Sequence, residues 1–449
     1  MIDPGIFKAY DVRGVYPTQL DATLARRIGS AFVDYLGARR VAVGYDARLS
    51  SPELAAAFTR GARAQGAEVH DIGNVGTDML YYYTASRDLD GGAIITASHN
   101  PKEWNGVKMV RRGALALSGD AGIGEIRDAL VAGRFAEEPG EAQAPLVRAA
   151  IREDYARHCL SFVDVSRIPA LKVVLDTGNG MGAVGAAAVF AHLPSVETVR
   201  MFFDVDGTFP NHAPDPLEER NRRDIVARVL SEGADLGIAW DGDADRCFFI
   251  DDRGEFVPGD FVTALLGESF CRRYPGAAIL YDVRASRAVA DRVATAGGRA
   301  IMNRVGHAFM KKRMREEDGV FGGEVSAHFY FRDNWYADNG MIPALLVLEL
   351  LGRDRRPLSD VLKPLRERYH ISGEINSRVA DVPAALRRLE NRFRDARLSH
   401  LDGLSVDYDA WHFNVRPSNT EPLLRLNLEA YSREEMERRR DEVLGVIRE

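Results

Sequence analysis

Asp241, Asp243 and Asp245 recur at every second position of the run Asp241-Gly242-Asp243-Ala244-Asp245-Arg246. Three carboxylates so close together repel one another, and their pKa values rise unless a cation or basic groups compensate. Hard oxygen ligands at positions i, i+2 and i+4 suit Mg2+ or Ca2+. A solvated acidic turn is the plain alternative. Here an apolar run (236–240) feeds the loop and another (247–250) leaves it, which anchors it to a core and favours metal binding. The run is not an EF-hand: its sixth position is Arg246 rather than Gly, and its twelfth is Asp252 rather than Glu. Arg246 beside the acids suggests that the metal site also meets an anion.

Three further loops carry reactive residue types. In TASHNP (96–101) Ser98 adjoins His99, but neighbours in an extended segment point to opposite faces, so a Ser98–His99 dyad is geometrically poor. No GxSxG elbow surrounds Ser98 either. Asn105-Gly106 reads as a tight turn that brings Lys108 back towards this loop. In GGEVSAH (322–328), Glu324, Ser326 and His328 at spacing two share one face of a strand and offer an acceptor, a hydroxyl and an imidazole to a polyol. In RPSNTEP (416–422), two prolines stiffen a loop in which Arg416, Ser418, Asn419 and Thr420 present the donors of a phosphate cradle. Taken singly, these read as a strand-ending turn, an exposed strand edge and a Pro-rich turn. Together they describe metal-assisted phosphoryl transfer on a sugar.

The elements that must position these loops alternate between short apolar runs and Ala-rich helical stretches, which argues an α/β architecture. Strands are expected over 40–45, 92–96, 171–175, 236–240, 278–281 and 300–305. Helices are expected over 51–65, 123–130, 181–192, 222–231, 261–272, 286–296 and 307–316. Three strands run into polar loops (92–98 into 99–101, 236–240 into 241–246, 320–321 into 322–328), and ligand sites in α/β sheets lie beyond the carboxyl ends of strands. A polar, Pro/Gly-rich stretch at 136–145 reads as a linker. Further breaks near 251–258 and 364–369 divide the chain into 1–144, 145–253, 254–367 and 368–449, the first three α/β and the last a smaller α+β unit.

The 449 residues are 46% hydrophobic and 28% charged, which supports a sizeable core and excludes a disordered chain. A formal charge of −7 disfavours a nucleic-acid binder, so positive groups that hold an anion must be local. Cys159, Cys247 and Cys271 form no close pair and no CxxC, which fits a reducing compartment. The first residues lack the apolar run of a signal peptide, and the apolar stretch at 341–351 is too short for a bilayer and contains Pro343 and Glu349. A soluble cytoplasmic protein is expected, with no membrane partner.

In this order, TASHNP (96–101), DGDADR (241–246), GEVSAH (323–328) and RPSNTEP (416–422) resemble the motifs of the α-D-phosphohexomutase superfamily. FKAYDVRG (7–14), GYDARLS (44–50), PNHAPDP (210–216) and GHAFMK (306–311) extend the resemblance over the whole chain, most closely to the bacterial phosphomannomutase/phosphoglucomutase group. The resemblance implies three similar α/β domains with mixed sheets plus a C-terminal α+β domain around a central cleft. It implies a phosphoryl group on Ser98, with one Mg2+ per active site on Asp241, Asp243, Asp245 and the phosphoserine. Arg246 would help hold the transferring group. Lys108 and His307 would serve acid–base chemistry, and Arg13 and His99 would support the phosphoserine. Glu324 and Ser326 would bind sugar hydroxyls with His328 close by, while Arg416, Ser418, Asn419 and Thr420 would grip the non-reacting phosphate. The implied reaction interconverts the 1- and 6-phosphates of mannose and glucose through a hexose 1,6-bisphosphate, in a monomer or weak homo-oligomer.

Two positions depart from the pattern: Ala327 stands where Gly is frequent, and Asn339 where a second Asp is common. A phosphoglucosamine mutase is the nearest alternative, but it usually has Gly where this chain has Asn419 and Gln where it has Val325. A phosphatase with Asp241 as nucleophile and Asp243 as acid leaves Ser98 and the phosphate cradle unexplained. A non-catalytic sugar-phosphate sensor does not need Ser98 and all three aspartates.

Overall fold

The computed structural model describes residues 2–119, 121–135, 144–417 and 423–449. Most of the 136–145 linker stretch therefore lies outside the described residues. The chain divides into two compact units: Met1–Val257 with His328–Leu358, and Pro258–Ala327 with Ser359–Glu449.

The first unit contains two mixed sheets. One runs in the order Val12–Val15, Trp104–Arg111, Gly91–Ile95, Arg40–Tyr45, Glu68–Asn74, Leu146–Arg148. Its first three strands pair antiparallel and the rest parallel. The other runs Phe256–Val257, Cys247–Asp251, Leu236–Trp240, Leu171–Asp176, Val196–Met201. Leu236–Trp240 and Cys247–Asp251 are buried at every residue, as strands covered on both faces must be. In the second unit, Ala278–Asp282 lies parallel between Arg299–Asn303 and Phe321–Gly323. An antiparallel sheet follows, built on Trp411–Pro417 and Leu423–Ala430, with the helices Val382–Arg392 and Arg433–Arg448.

The strands expected over 40–45, 92–96, 171–175, 236–240, 278–281 and 300–305 and the seven expected helices form, with ends shifted by up to a few residues. The Asn105-Gly106 turn does not. Both residues lie inside the strand Trp104–Arg111, and the reversal falls earlier, where the Trp104 N–H bonds the Pro101 carbonyl at 3.0 Å. Lys108 still arrives beside the Ser98 loop, because the strand pairs Lys108 with Ile94.

One device recurs where parallel strands end. Asp46, Asp176 and Asp282 each accept the backbone N–H two residues on, from Arg48, Gly178 and Arg284, at 3.0, 2.9 and 2.8 Å. A carboxylate that satisfies the first loop N–H turns the chain sharply and keeps the loop close to the sheet. Among the described residues no helix is long and apolar enough to cross a membrane, and the three cysteines are buried and free.

The helices Ala22–Leu36 and Ser51–Ala64 approach through glycines on both sides. A Cβ on Gly61 would stand 1.8 Å from the Arg26 carbonyl oxygen, and one on Gly29 would stand 2.2 Å from that of Phe58. Gly61→Ala should therefore destabilise the chain by about 1–3 kcal/mol, the overpacking cost exceeding the gain in helix propensity. A lower urea midpoint followed by circular dichroism checks this, and an unchanged midpoint contradicts it.

Candidate active site

In the first unit, two loops meet backbone to backbone. Gly242 allows the approach, since a Cβ there would stand 2.5 Å from the Ser98 carbonyl oxygen. Ser98 adopts a left-handed backbone, φ +52°, which is costly for a residue with a side chain and marks a conformation imposed by its surroundings. That conformation overturns the expectation about the dyad. The segment is not extended at Ser98, and its Oγ lies 3.1 Å from His99 Nδ1. The same hydroxyl donates to Asp241 Oδ2 at 3.0 Å. Burial, followed by the positive charges of Arg246, Arg13 and Lys108, holds the His99 imidazole well below its ordinary pKa, so it is neutral.

Oxygens of Asp241, Asp243 and Asp245, all buried, lie within 4.8 Å of one another. Burial pushes Asp241 up to about 7, with Asp245 and Asp243 adding to the rise and Arg246 opposing it. Lys108 compensates the other two, its Nζ 2.7 Å from Asp243 Oδ2 and 2.6 Å from Asp245 Oδ2. Burial raises both acids, but Lys108, with Thr77 on Asp243 and His328 on Asp245, holds them below the ordinary carboxylate range. Burial would likewise lower Lys108, yet the two aspartates keep it above its ordinary value and fully protonated. Asp243 Oδ1 is buried and has no hydrogen-bond partner among the described residues, an oxygen that a cation would satisfy. His328 Nε2 lies 3.5 Å from Asp245 Oδ1, and Asp338 completes a second group of potential ligands with these two. The donor set is all-oxygen at the loop, as a hard divalent cation requires.

Arg246 turns back on its own loop, with Nε donating to Asp241 Oδ2 at 2.9 Å. Among the described residues its buried Nη2 has no partner and remains available to an anion. Arg13 donates through Nε to Asp11 at 2.8 Å and through Nη1 to the Asn100 side chain.

Two positioning residues escaped the sequence reading. Arg48, 1% exposed, donates to the carbonyls of Ser98, Asn100, Pro101 and Trp104 at 2.9, 2.6, 2.7 and 3.0 Å. It thereby clamps the Ser98 loop from inside. Thr77 donates through its hydroxyl to Asp243 Oδ2 at 2.6 Å. Arg48 stands within the GYDARLS motif, but a lone arginine fifty residues from its acceptors carries no local signal of that role.

In the second unit the stretch after Phe321–Gly323 is a turn, not a strand. The Ala327 N–H bonds the Glu324 carbonyl at 2.9 Å, and Ala327 has φ +66°. The shared face expected for Glu324, Ser326 and His328 is therefore not formed. Ala327 sits where only glycine adopts the backbone without cost. Buried Glu324 accepts the Gly306 N–H at 2.8 Å, which ties its carboxylate to the residue before His307. Asn339, the other departure, caps the helix Met341–Asp354 by accepting the Met341 and Ile342 N–H groups, both at 2.8 Å. Arg416 lies on Trp411–Pro417 with its Nη2 3.3 Å from Glu374. Ser418, Asn419 and Thr420 lie outside the described residues.

The chain matches four domain families described as phosphoglucomutase/phosphomannomutase: alpha/beta/alpha domain I at residues 4–136, II at 153–254, III at 258–369, and the C-terminal domain at 374–446. The chain belongs to the phosphoglucomutase/phosphomannomutase family of phosphohexomutases. It is 44% identical over 425 residues to a Xanthomonas campestris protein named phosphohexose mutases, covering 94% of each chain. It is 42% identical over 430 residues to a phosphomannomutase of Salmonella typhimurium, again covering 94% of each. A crystal structure of a family protein from Burkholderia thailandensis superposes with a TM-score of 0.90 at 35% identity, covering 100% of this chain and 98% of that one.

On the reading that Ser98 is a reacting group, its loop must be held rigidly. Arg48→Lys keeps the buried charge but cannot span four carbonyls, and a displacement near 1 Å at a reacting group can cost about a hundredfold. Turnover should fall by about 10- to 100-fold with an unchanged circular dichroism spectrum. Unaltered kcat would show that the loop holds its shape without Arg48.

Proposed function

We propose that the chain interconverts the 1- and 6-phosphates of mannose and glucose, with Ser98 as the phosphoryl carrier. The observation that carries this is the Ser98 hydroxyl held at 3.0 Å from Asp241, inside a cluster that joins three buried aspartates to Lys108. Phosphoserine passes its phosphoryl group to the free hydroxyl of a hexose phosphate. A hexose 1,6-bisphosphate results, which turns over and returns its other phosphoryl group to Ser98. Asp241, Asp243 and Asp245 would hold one Mg2+, which neutralises charge on the moving group when bound. The unpartnered Arg246 Nη2 supplies a donor to the same group. Lys108, charged between two aspartates, can give a proton or a charge but cannot accept a proton, which leaves the role of base to His307. Arg13 and His99 orient the Ser98 loop. Glu324, Ser326 and His328 bind the sugar, and Arg416, Ser418, Asn419 and Thr420 bind the phosphate that stays.

Glucose and mannose differ only at C2, so a site that binds the hydroxyls they share discriminates weakly between them. The alternative of a phosphoglucosamine mutase is not favoured, because Asn419 and Val325 depart from its usual residues. We also propose domains at 1–144, 145–253, 254–367 and 368–449, carrying the phosphoserine, metal, sugar and phosphate loops in turn, and a cytoplasmic location.

Ser98→Ala should lower mutase turnover by at least about a thousandfold, as loss of a nucleophile does, while glucose 6-phosphate still binds. Near-normal turnover, with contaminating activity excluded, would sink the assignment. Asp243→Asn should weaken Mg2+ binding measured by calorimetry by at least about tenfold. An unchanged binding isotherm would move the metal elsewhere.

A further inference from the structure

Arg416 and Arg425 stand directly opposite each other on the paired strands Trp411–Pro417 and Leu423–Ala430. Like charges at directly opposed positions destabilise a sheet unless something neutralises them. Glu374 does so. Its Oε2 lies 3.3 Å from Arg416 Nη2 and its Oε1 lies 3.2 Å from Arg425 Nη1. A third guanidinium, Arg284, approaches Glu374 Oε2 to 3.6 Å while its other nitrogens are taken by Asp282 at 3.0 and 2.8 Å. Three guanidiniums thus converge on Glu374, and Arg284 is held by Asp282 as well. Burial raises Glu374, but Arg284, Arg416 and Arg425 together hold it below its ordinary range, so it stays ionised. Among the described residues the buried Nε atoms of Arg416 and Arg425 have no partner, which leaves donors for a second anion.

We propose that Glu374 is a positioning residue that acts by charge: a resident anion that competes with the substrate's phosphate for Arg416 and Arg425 and keeps the clamp's grip weak. The proposal rests on the reading that Arg416 grips the non-reacting phosphate. In a reaction with two transfers, the phosphate held first must leave the clamp so that the other can enter. Binding energy that persists through that exchange lowers KM without raising kcat, and it slows the exchange itself. A carboxylate that reoccupies the guanidiniums as the phosphate leaves replaces the lost contacts. It also keeps Arg416 and Arg425 from facing each other without a counter-charge.

The test is calorimetric titration of glucose 6-phosphate into the chain carrying Ser98→Ala, alone and combined with Glu374→Gln, Glu374→Asp, Arg416→Ala or Arg425→Ala. Glu374→Gln should tighten binding by about fivefold, the scale of one charge uncovered at a partly solvated site. In the chain with Ser98 intact it should lower KM and kcat together. Glu374→Asp withdraws the carboxylate by one methylene and should tighten binding by less, so the test does not depend on how well the Gln variant folds. Both arginine variants should bind more weakly. Unchanged or weaker affinity in Glu374→Gln or Glu374→Asp, with both arginine variants weakened, overturns the competing role and leaves the clamp reading standing. If neither arginine variant alters affinity, the clamp reading fails, and the role of Glu374 fails with it.

Discussion

Burying three carboxylates within 4.8 Å of one another is the constraint around which the first unit is organised. An uncompensated ion in a protein interior costs several kcal/mol, and three of one sign cost more than their number suggests, because each raises the others. The loop meets this cost with neighbours from distant parts of the chain: Lys108 between Asp243 and Asp245, Thr77 on Asp243, and Arg246 turned back on Asp241. These partners fix the positions of the three carboxylates. Ser98 is held beside Asp241 by the same packing that brings Lys108 in, since the strand that carries Lys108 pairs with the strand that leads to Ser98.

The two clusters are electrostatic opposites. Around Asp241, Asp243 and Asp245 the acids outnumber the bases Lys108 and Arg246, so the cluster favours a further cation. Around Glu374 three guanidiniums converge on one carboxylate, an arrangement that offers donors to an anion. A chain of net charge −7 can still bind sugar phosphates, because the field that a phosphate meets is set by groups a few ångströms away. The neutral His99 imidazole fits the same logic: burial and then the three cations around it disfavour a fourth charge.

Much of the fold was legible because it rests on local pattern. The buried strands Leu236–Trp240 and Ala278–Asp282 are short apolar runs bounded by polar loops, and the helices carry their own periodicity. The errors came where backbone conformation depends on neighbours. Asn105-Gly106 has the composition of a turn, but the strand pairing of Trp104–Arg111 overrode it. Glu324 to His328 alternates like a strand, yet its chain turns at Ala327 with a left-handed backbone.

The sequence by itself determined which chemistry was available: three aspartates at ligand spacing, a serine at the end of a strand, and arginine beside proline in a donor-rich loop. Residue type and short-range spacing are written directly in the chain. Only the tertiary structure decided the partners. Arg48 reaches four carbonyls some fifty residues away, and Glu374 meets Arg416 and Arg425 through strands that the sequence does not announce as neighbours. Ser98 takes a positive φ that a serine avoids when free, and that angle brings its hydroxyl to His99. Such contacts depend on the packing of whole sheets, whose energy is summed over many residues and is invisible in any one motif.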